Sequence, residues 1–177
     1  MSIEKPQIER ALYEPSLQEL RPGGASEFGF LKKDQTLEQV LERDKHALEI
    51  LGYSSQELAD LLGPITEQAV KGDDFEYTAP NGKQYDVGAI VHRGSQECPW
   101  HDSADWKRSS GSLNMYLTEK GLSEDNSILI AGLLRHLIEK HEFFEGGHYR
   151  ISPEMIVEMF GNERIPGSLE EVKKLDL

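Results

Sequence analysis

Three features of the sequence predict an α+β fold. Two Ser/Thr-x-x-Glu/Gln capping boxes each head an apolar stripe of helical period; strand-favouring residues then gather around an Asn81-Gly82 turn; and helical periodicity returns after about residue 130. Together they predict an N-terminal helical hairpin packed on a small antiparallel sheet of about four strands, with two further C-terminal helices. With 177 residues, the chain has room for one such core and little room for a second.

The first elements follow from local chemistry. Residues 1–33 mix charges with prolines and the Pro22-Gly23-Gly24 breaker, so they read as a flexible arm with at most one short helix around Ser16 to Leu20. The domain proper is expected over 34–162. Thr36 and Gln39 form a capping box ahead of Leu37, Val40, Leu41, Leu48 and Leu51, and Gly52 stops that helix. Ser54 with Glu57 starts the next, whose stripe is Leu58, Leu61, Leu62, Ile65 and Ala69. Pro64 within it lacks a backbone donor and is expected to kink or split the helix. Leu41 and Leu62 are the expected core residues of the hairpin, and His46 is expected at its surface.

The strand signals come next. Phe75, Tyr77, Tyr85, Val87, Ile90 and Val91 flank Asn81-Gly82, and Leu113, Met115 and Leu117 alternate with polar residues before a turn-rich stretch and Ile128 to Ile130. Two hairpins make the four strands. A helix is expected from about Ala131 to Phe143, and another from Ser152-Pro153-Glu154 to Gly161. Residues 163–177, with Pro166-Gly167 and a weak Ser168–Glu171 capping box, read as a loosely held end.

Composition narrows the class of function. Against 19 Lys and Arg stand 32 Asp and Glu, a formal charge of −13. Nucleic-acid affinity rests on basic side chains that release counterions, and only Lys32-Lys33, Lys107-Arg108 and Lys173-Lys174 cluster. Neither nucleic acid nor an anionic membrane surface is an expected partner; a protein partner or a second copy of the chain is. No apolar run approaches the roughly 20 residues of a membrane span, the N-terminus lacks a secretory pattern, and a lone Cys98 fits a reducing compartment, so a cytoplasmic address is expected.

One constellation bears on chemistry. Cys98-Pro99-Trp100-His101 places a thiol and an imidazole two residues apart after a predicted strand, where a tight turn aims both at one point. Downstream, His136 and His141 have four residues between them, which completes C-x2-H…H-x4-H and predicts a site for a metal, zinc by ligand type. Over these 44 residues the arrangement resembles the zinc finger built of two cysteines and two histidines, with one cysteine replaced by His101 and a spacer of 34 residues. The resemblance implies a structural zinc site and, because the second cysteine and the short spacer are absent, no nucleic-acid role.

Residues five apart on a helix point about 140° from one another, so His136 and His141 are expected to share an ion only across a distorted helix end. His148, after Gly146-Gly147, is the substitute fourth ligand, and His92 lies near the turn in sequence. The bland alternative is a buried His141, an exposed His136 and Cys98 as an inert core thiol. Trp100, Trp106, Phe143, Phe144 and Tyr149 are expected to pack around the site.

Two function classes follow: a non-catalytic binding or interaction protein with a structural zinc site, or a metal-dependent hydrolase with Cys98, His101 and His141 as ligands, an open fourth position, and Glu142 or Glu145 as general base. A Cys98–His101 nucleophile pair ranks below both. No phosphate-binding loop, H-E-x-x-H or deaminase pattern occurs in the chain.

Overall fold

The computed structural model describes residues 13–92, 96–102 and 113–175. Residues 1–12 of the expected arm, Trp106 and the Lys107-Arg108 cluster lie outside the described residues. Among the described residues, six α-helices and four strands succeed one another: α1 (Leu17–Leu20), α2 (Leu37–Leu51), α3 (Ser55–Ala69), β1 (Phe75–Thr78), β2 (Gln84–Val91), β3 (Leu113–Glu119), β4 (Ile128–Ala131), α4 (Leu134–His141), α5 (Pro153–Phe160) and α6 (Ser168–Val172), with one 3-10 turn, Glu124–Asn126, between β3 and β4. The fold is α+β, a helical pair followed by a four-stranded antiparallel sheet and C-terminal helices, as the sequence predicts.

Side-chain caps set the helix starts. Ser16, Thr36 and Ser54 each accept from the amide three residues on, and Glu19, Gln39 and Glu57 reciprocate, satisfying two orphan donors per helix. Gly52, in the left-handed region at φ 68°, ends α2 without the strain a Cβ would bring. Pro64 does not split α3, which runs unbroken from Ser55 to Ala69. Pro64 lies on the exposed face of the helix, where the carbonyl that its missing donor leaves open is not forced into the core.

The sheet is a simple meander, β1-β2-β3-β4. Its register pairs Val87 with Leu117, and Ala89 with Met115, which in turn faces Ile130. The period of two therefore puts Tyr85, Val87, Ala89, Leu113, Met115, Leu117 and Ile130 on one inner face, against Ala47, Leu51, Leu58, Leu62 and Ile65 of the hairpin and Ile156, Val157 and Phe160 of α5. The Tyr85 hydroxyl donates to the Met159 carbonyl at 3.0 Å and so satisfies its polar end in the core.

A second, smaller core is built from Leu20, Phe30, Leu31, Val40, Cys98, Leu133, Leu137 and Phe143. It corrects the expectation for 16–33. Phe30 and Leu31 are fully buried, their amides donate to the Leu20 carbonyl, and the Phe30 carbonyl accepts from Gly146 and Gly147, so this stretch is a packed segment. The C-terminal segment is also held: Val172 is buried in the main core and α6 packs on α2. Gly167, not a Ser168 capping box, precedes α6, and Ser168 is buried with no partner for its hydroxyl.

Buried charge is the part of the fold that periodicity does not disclose. Leu62 is core as expected, but Leu41 is only partly buried, and α2 instead buries Asp44 completely. Arg150 grips Asp44 at 2.5 and 3.0 Å, and Arg43 pairs with Glu154 through two bonds at 2.6 and 2.8 Å. These bonds tie α2 to α5 and to the connection before it. Beside them Glu145 is wholly buried, at φ 58°, with no hydrogen-bond partner for either carboxyl oxygen.

Candidate metal centre

The centre forms where the loop after β2 meets the last turns of α4. Cys98 is fully buried in the second core. The chain then turns tightly, with the His101 amide donating to the Cys98 carbonyl at 3.0 Å and His101 itself in the left-handed region at φ 53°. That reversal decides which side chain enters the site. It sends the His101 ring outward, where Nε2 lies 3.5 Å from Glu19 Oε1 and the ring packs on Tyr13 at 5.0 Å. The next residue, Asp102, is exposed but turns its carboxylate toward α4.

Asp102 bridges the two helix histidines. Its Oδ1 lies 3.1 Å from His136 Nε2 and its Oδ2 lies 3.0 Å from His141 Nε2, while His141 Nε2 is 3.5 Å from Cys98 Sγ. One ligand atom from each of Cys98, Asp102, His136 and His141 falls within 4.8 Å of the others. A tetrahedral ion with bonds of 2.0 to 2.3 Å sets its ligand atoms roughly 3.3 to 3.8 Å apart, so small side-chain rotations would close this cluster around zinc.

The expected obstacle on α4 does not arise. His136 and His141 leave the helix in different directions, yet their ring centres are 5.6 Å apart and both rings reach Asp102 between them. No distortion is needed: the helix ends regularly, with Glu142 and Phe143 amides bonded to the Ile138 and Leu137 carbonyls. An imidazole is long enough to close the angle by side-chain rotation. The two side chains are nearly equally covered, 12% and 11% exposed, so the exposed His136 of the bland reading is not found, whereas His141 is mostly covered and hydrogen-bonded as that reading has it.

The surrounding groups shift the titration of the cluster. Burial, with the nearby Asp102 carboxylate, pushes the Cys98 thiol up to about 12, so without a cation it keeps its proton. Burial also works against ionisation of Asp102, but the Cys98 hydrogen bond and the charges of His136 and His141 outweigh it and lower its pKa. Burial lowers that of His141, against the opposing pull of the Asp102 carboxylate. A carboxylate, two imidazoles and a thiol that a bound cation would deprotonate form a donor set suited to a borderline-soft divalent ion. Trp100 stacks on His141 with ring centres 4.1 Å apart and planes 8° from parallel, while its edge meets Phe143.

Of the sequence candidates, Cys98, His136 and His141 come together and His101 and His148 do not. His148 stacks on Phe28 at 4.9 Å in a separate surface cluster with Tyr149. His92 lies by Asn114. Asp102 is the candidate ligand that the C-x2-H…H-x4-H spacing does not disclose: it stands four residues from Cys98, in a pattern that counts thiols and imidazoles alone. The two expected bases are elsewhere, Glu142 accepting from Ser55 at 3.2 Å and Glu145 enclosed in the protein.

Comparison with known proteins adds no relative: no family model, curated protein or solved structure matches this chain. Among the described residues, no helix is long and apolar enough to cross a membrane.

Proposed function

We propose that the chain is a non-catalytic, cytoplasmic interaction protein that binds one zinc ion through Cys98, Asp102, His136 and His141. The observation that carries this reading is the convergence of four donors, one sulfur, one carboxylate and two imidazoles, within 4.8 Å. Sulfur with nitrogen selects zinc over calcium or magnesium. Four protein ligands fill a tetrahedral shell, the mark of a structural site; hydrolysis would need one position left to water. The ion would staple the loop 96–102 to α4, joining two elements that otherwise meet through the small second core. The acidic surface favours a protein partner over nucleic acid or an anionic membrane.

Elemental analysis and cobalt(II) substitution test this reading. Wild-type protein should retain one equivalent of zinc and, with cobalt, show intense tetrahedral bands and a thiolate charge-transfer band. Cys98→Ala and His141→Ala should lose the ion, while His148→Ala should keep it. A wild-type protein that takes up no zinc at micromolar concentration overturns the proposal. One that binds with a water in the fourth position favours the hydrolase reading instead.

A further inference from the structure

The loop that presents Cys98 and Asp102 has a second face, turned toward the N-terminal segment. His101 is its main contact there. Its Nε2 lies 3.5 Å from Glu19 Oε1 and its ring packs on Tyr13, whose hydroxyl donates to the same Glu19 oxygen at 2.6 Å. The other Glu19 oxygen accepts from the Ser16 amide and hydroxyl, both at 2.8 Å, so the carboxylate that meets His101 also caps α1. Nearby, the Gln96 amide donates to the Ser26 hydroxyl at 3.3 Å. One short loop is thus bound to α4 through the ligand cluster and to residues 13–26 through its outer side chains.

His101 joins the two faces through its backbone. Its left-handed conformation is rare for a residue with a side chain, and it is what turns Asp102 inward, because an extended residue there would carry the carboxylate away from His136 and His141. The strained turn needs support on both sides: the Glu19–Tyr13 clamp outside and the ligand cluster inside.

We propose that His101 is a positioning residue that couples ion binding to docking of Tyr13–Leu20, so that the ion and the N-terminal segment stabilise each other. This rests on the metal reading above. Linkage makes the effect reciprocal: the factor by which a docked segment raises zinc affinity is the factor by which zinc favours docking. The site then works as a metal-dependent latch for residues 13–20.

Zinc affinity by chelator competition, cobalt(II) spectra, and hydrogen exchange at the Glu19, Leu20 and Arg21 amides provide the test. In the wild type, zinc should slow exchange at these three amides about tenfold relative to protein treated with chelator. His101→Val, whose branched side chain resists the left-handed region, should bind zinc at least tenfold more weakly and lose the carboxylate from the cobalt spectrum. His101→Asn, which tolerates that region, should restore the spectrum and most of the affinity. Glu19→Gln should keep the spectrum but weaken zinc severalfold. Equal exchange with and without zinc, or His101→Val affinity within twofold of wild type, overturns the coupling and leaves the metal reading standing. If His101→Val does not fold, exchange in the wild type decides. A wild type that binds no ion overturns both.

Discussion

Glu145→Gln should make the protein more stable, and increasingly so as the pH rises. The carboxyl is fully enclosed, neither oxygen has a partner, and the nearest cation, Arg150, already spends two bonds on Asp44. Burial, only partly offset by Arg150, pushes its pKa from 4.5 up to about 8. Between those values the unfolded chain releases the proton and the folded protein keeps it, so the folded state binds more protons and stability falls with rising pH. The slope is about 1.4 kcal/mol per pH unit, or roughly 3 kcal/mol between pH 5.5 and 8, and it flattens above the folded pKa. Gln has nearly the same size, shares the same positive φ, and does not titrate, so the stability gap between variant and wild type should widen by roughly 3 kcal/mol across that interval. Urea unfolding of both proteins at pH 5.5 and 8, with the same zinc or chelator concentration throughout, measures it. Parallel profiles, within about 0.5 kcal/mol, would mean that Glu145 is ionised and partnered in the fold, and the reasoning would be wrong.

Leu62→Ala should cost about 2 to 5 kcal/mol by the same urea assay, because the side chain is buried between the hairpin and the sheet, and should leave metal stoichiometry unchanged. Thr36→Ala removes the side-chain acceptor of the α2 capping box and should cost about 1 kcal/mol, a loss absent if the Gln39 amide finds water at no expense. Saturating the site at 100 times its dissociation constant should stabilise the fold by about 2.7 kcal/mol; an unchanged unfolding curve on adding zinc would argue against a native site. Low-salt titration with DNA or RNA should show no sub-micromolar, salt-sensitive binding, given the charge of −13.

The legible parts of this fold are those decided within a few residues. A capping box is a bond between neighbours, so Thr36–Gln39 and Ser54–Glu57 announce α2 and α3, and alternation announces β2 and β3 without knowledge of what they pack on. Asp44 shows the limit. It sits within an apolar stripe, yet its acceptable burial depends on Arg150, more than a hundred residues away. The site divides in the same way: Cys98 and the α4 histidines are visible as residue types, whereas the choice of Asp102 over His101 turns on a single backbone angle, supported from α1. The order in 16–33 was hidden because its apolar residues follow no period, being spent on a second core that draws on five separate stretches of chain.

The meander has a consequence for how the protein behaves in a crowded solution. Its long strands, β2 and β3, occupy the centre, with Tyr85–Val87 of β2 and Asn114–Leu117 of β3 paired on both sides, while each outer strand, β1 and β4, is only four residues long. A stray chain adding to either side would find a ladder of four residues, further marked by the charged Glu76 on β1. With the doubly paired parts of β2 and β3 internal and the outer strands this short, β1 and β4 give little purchase for growth by strand addition.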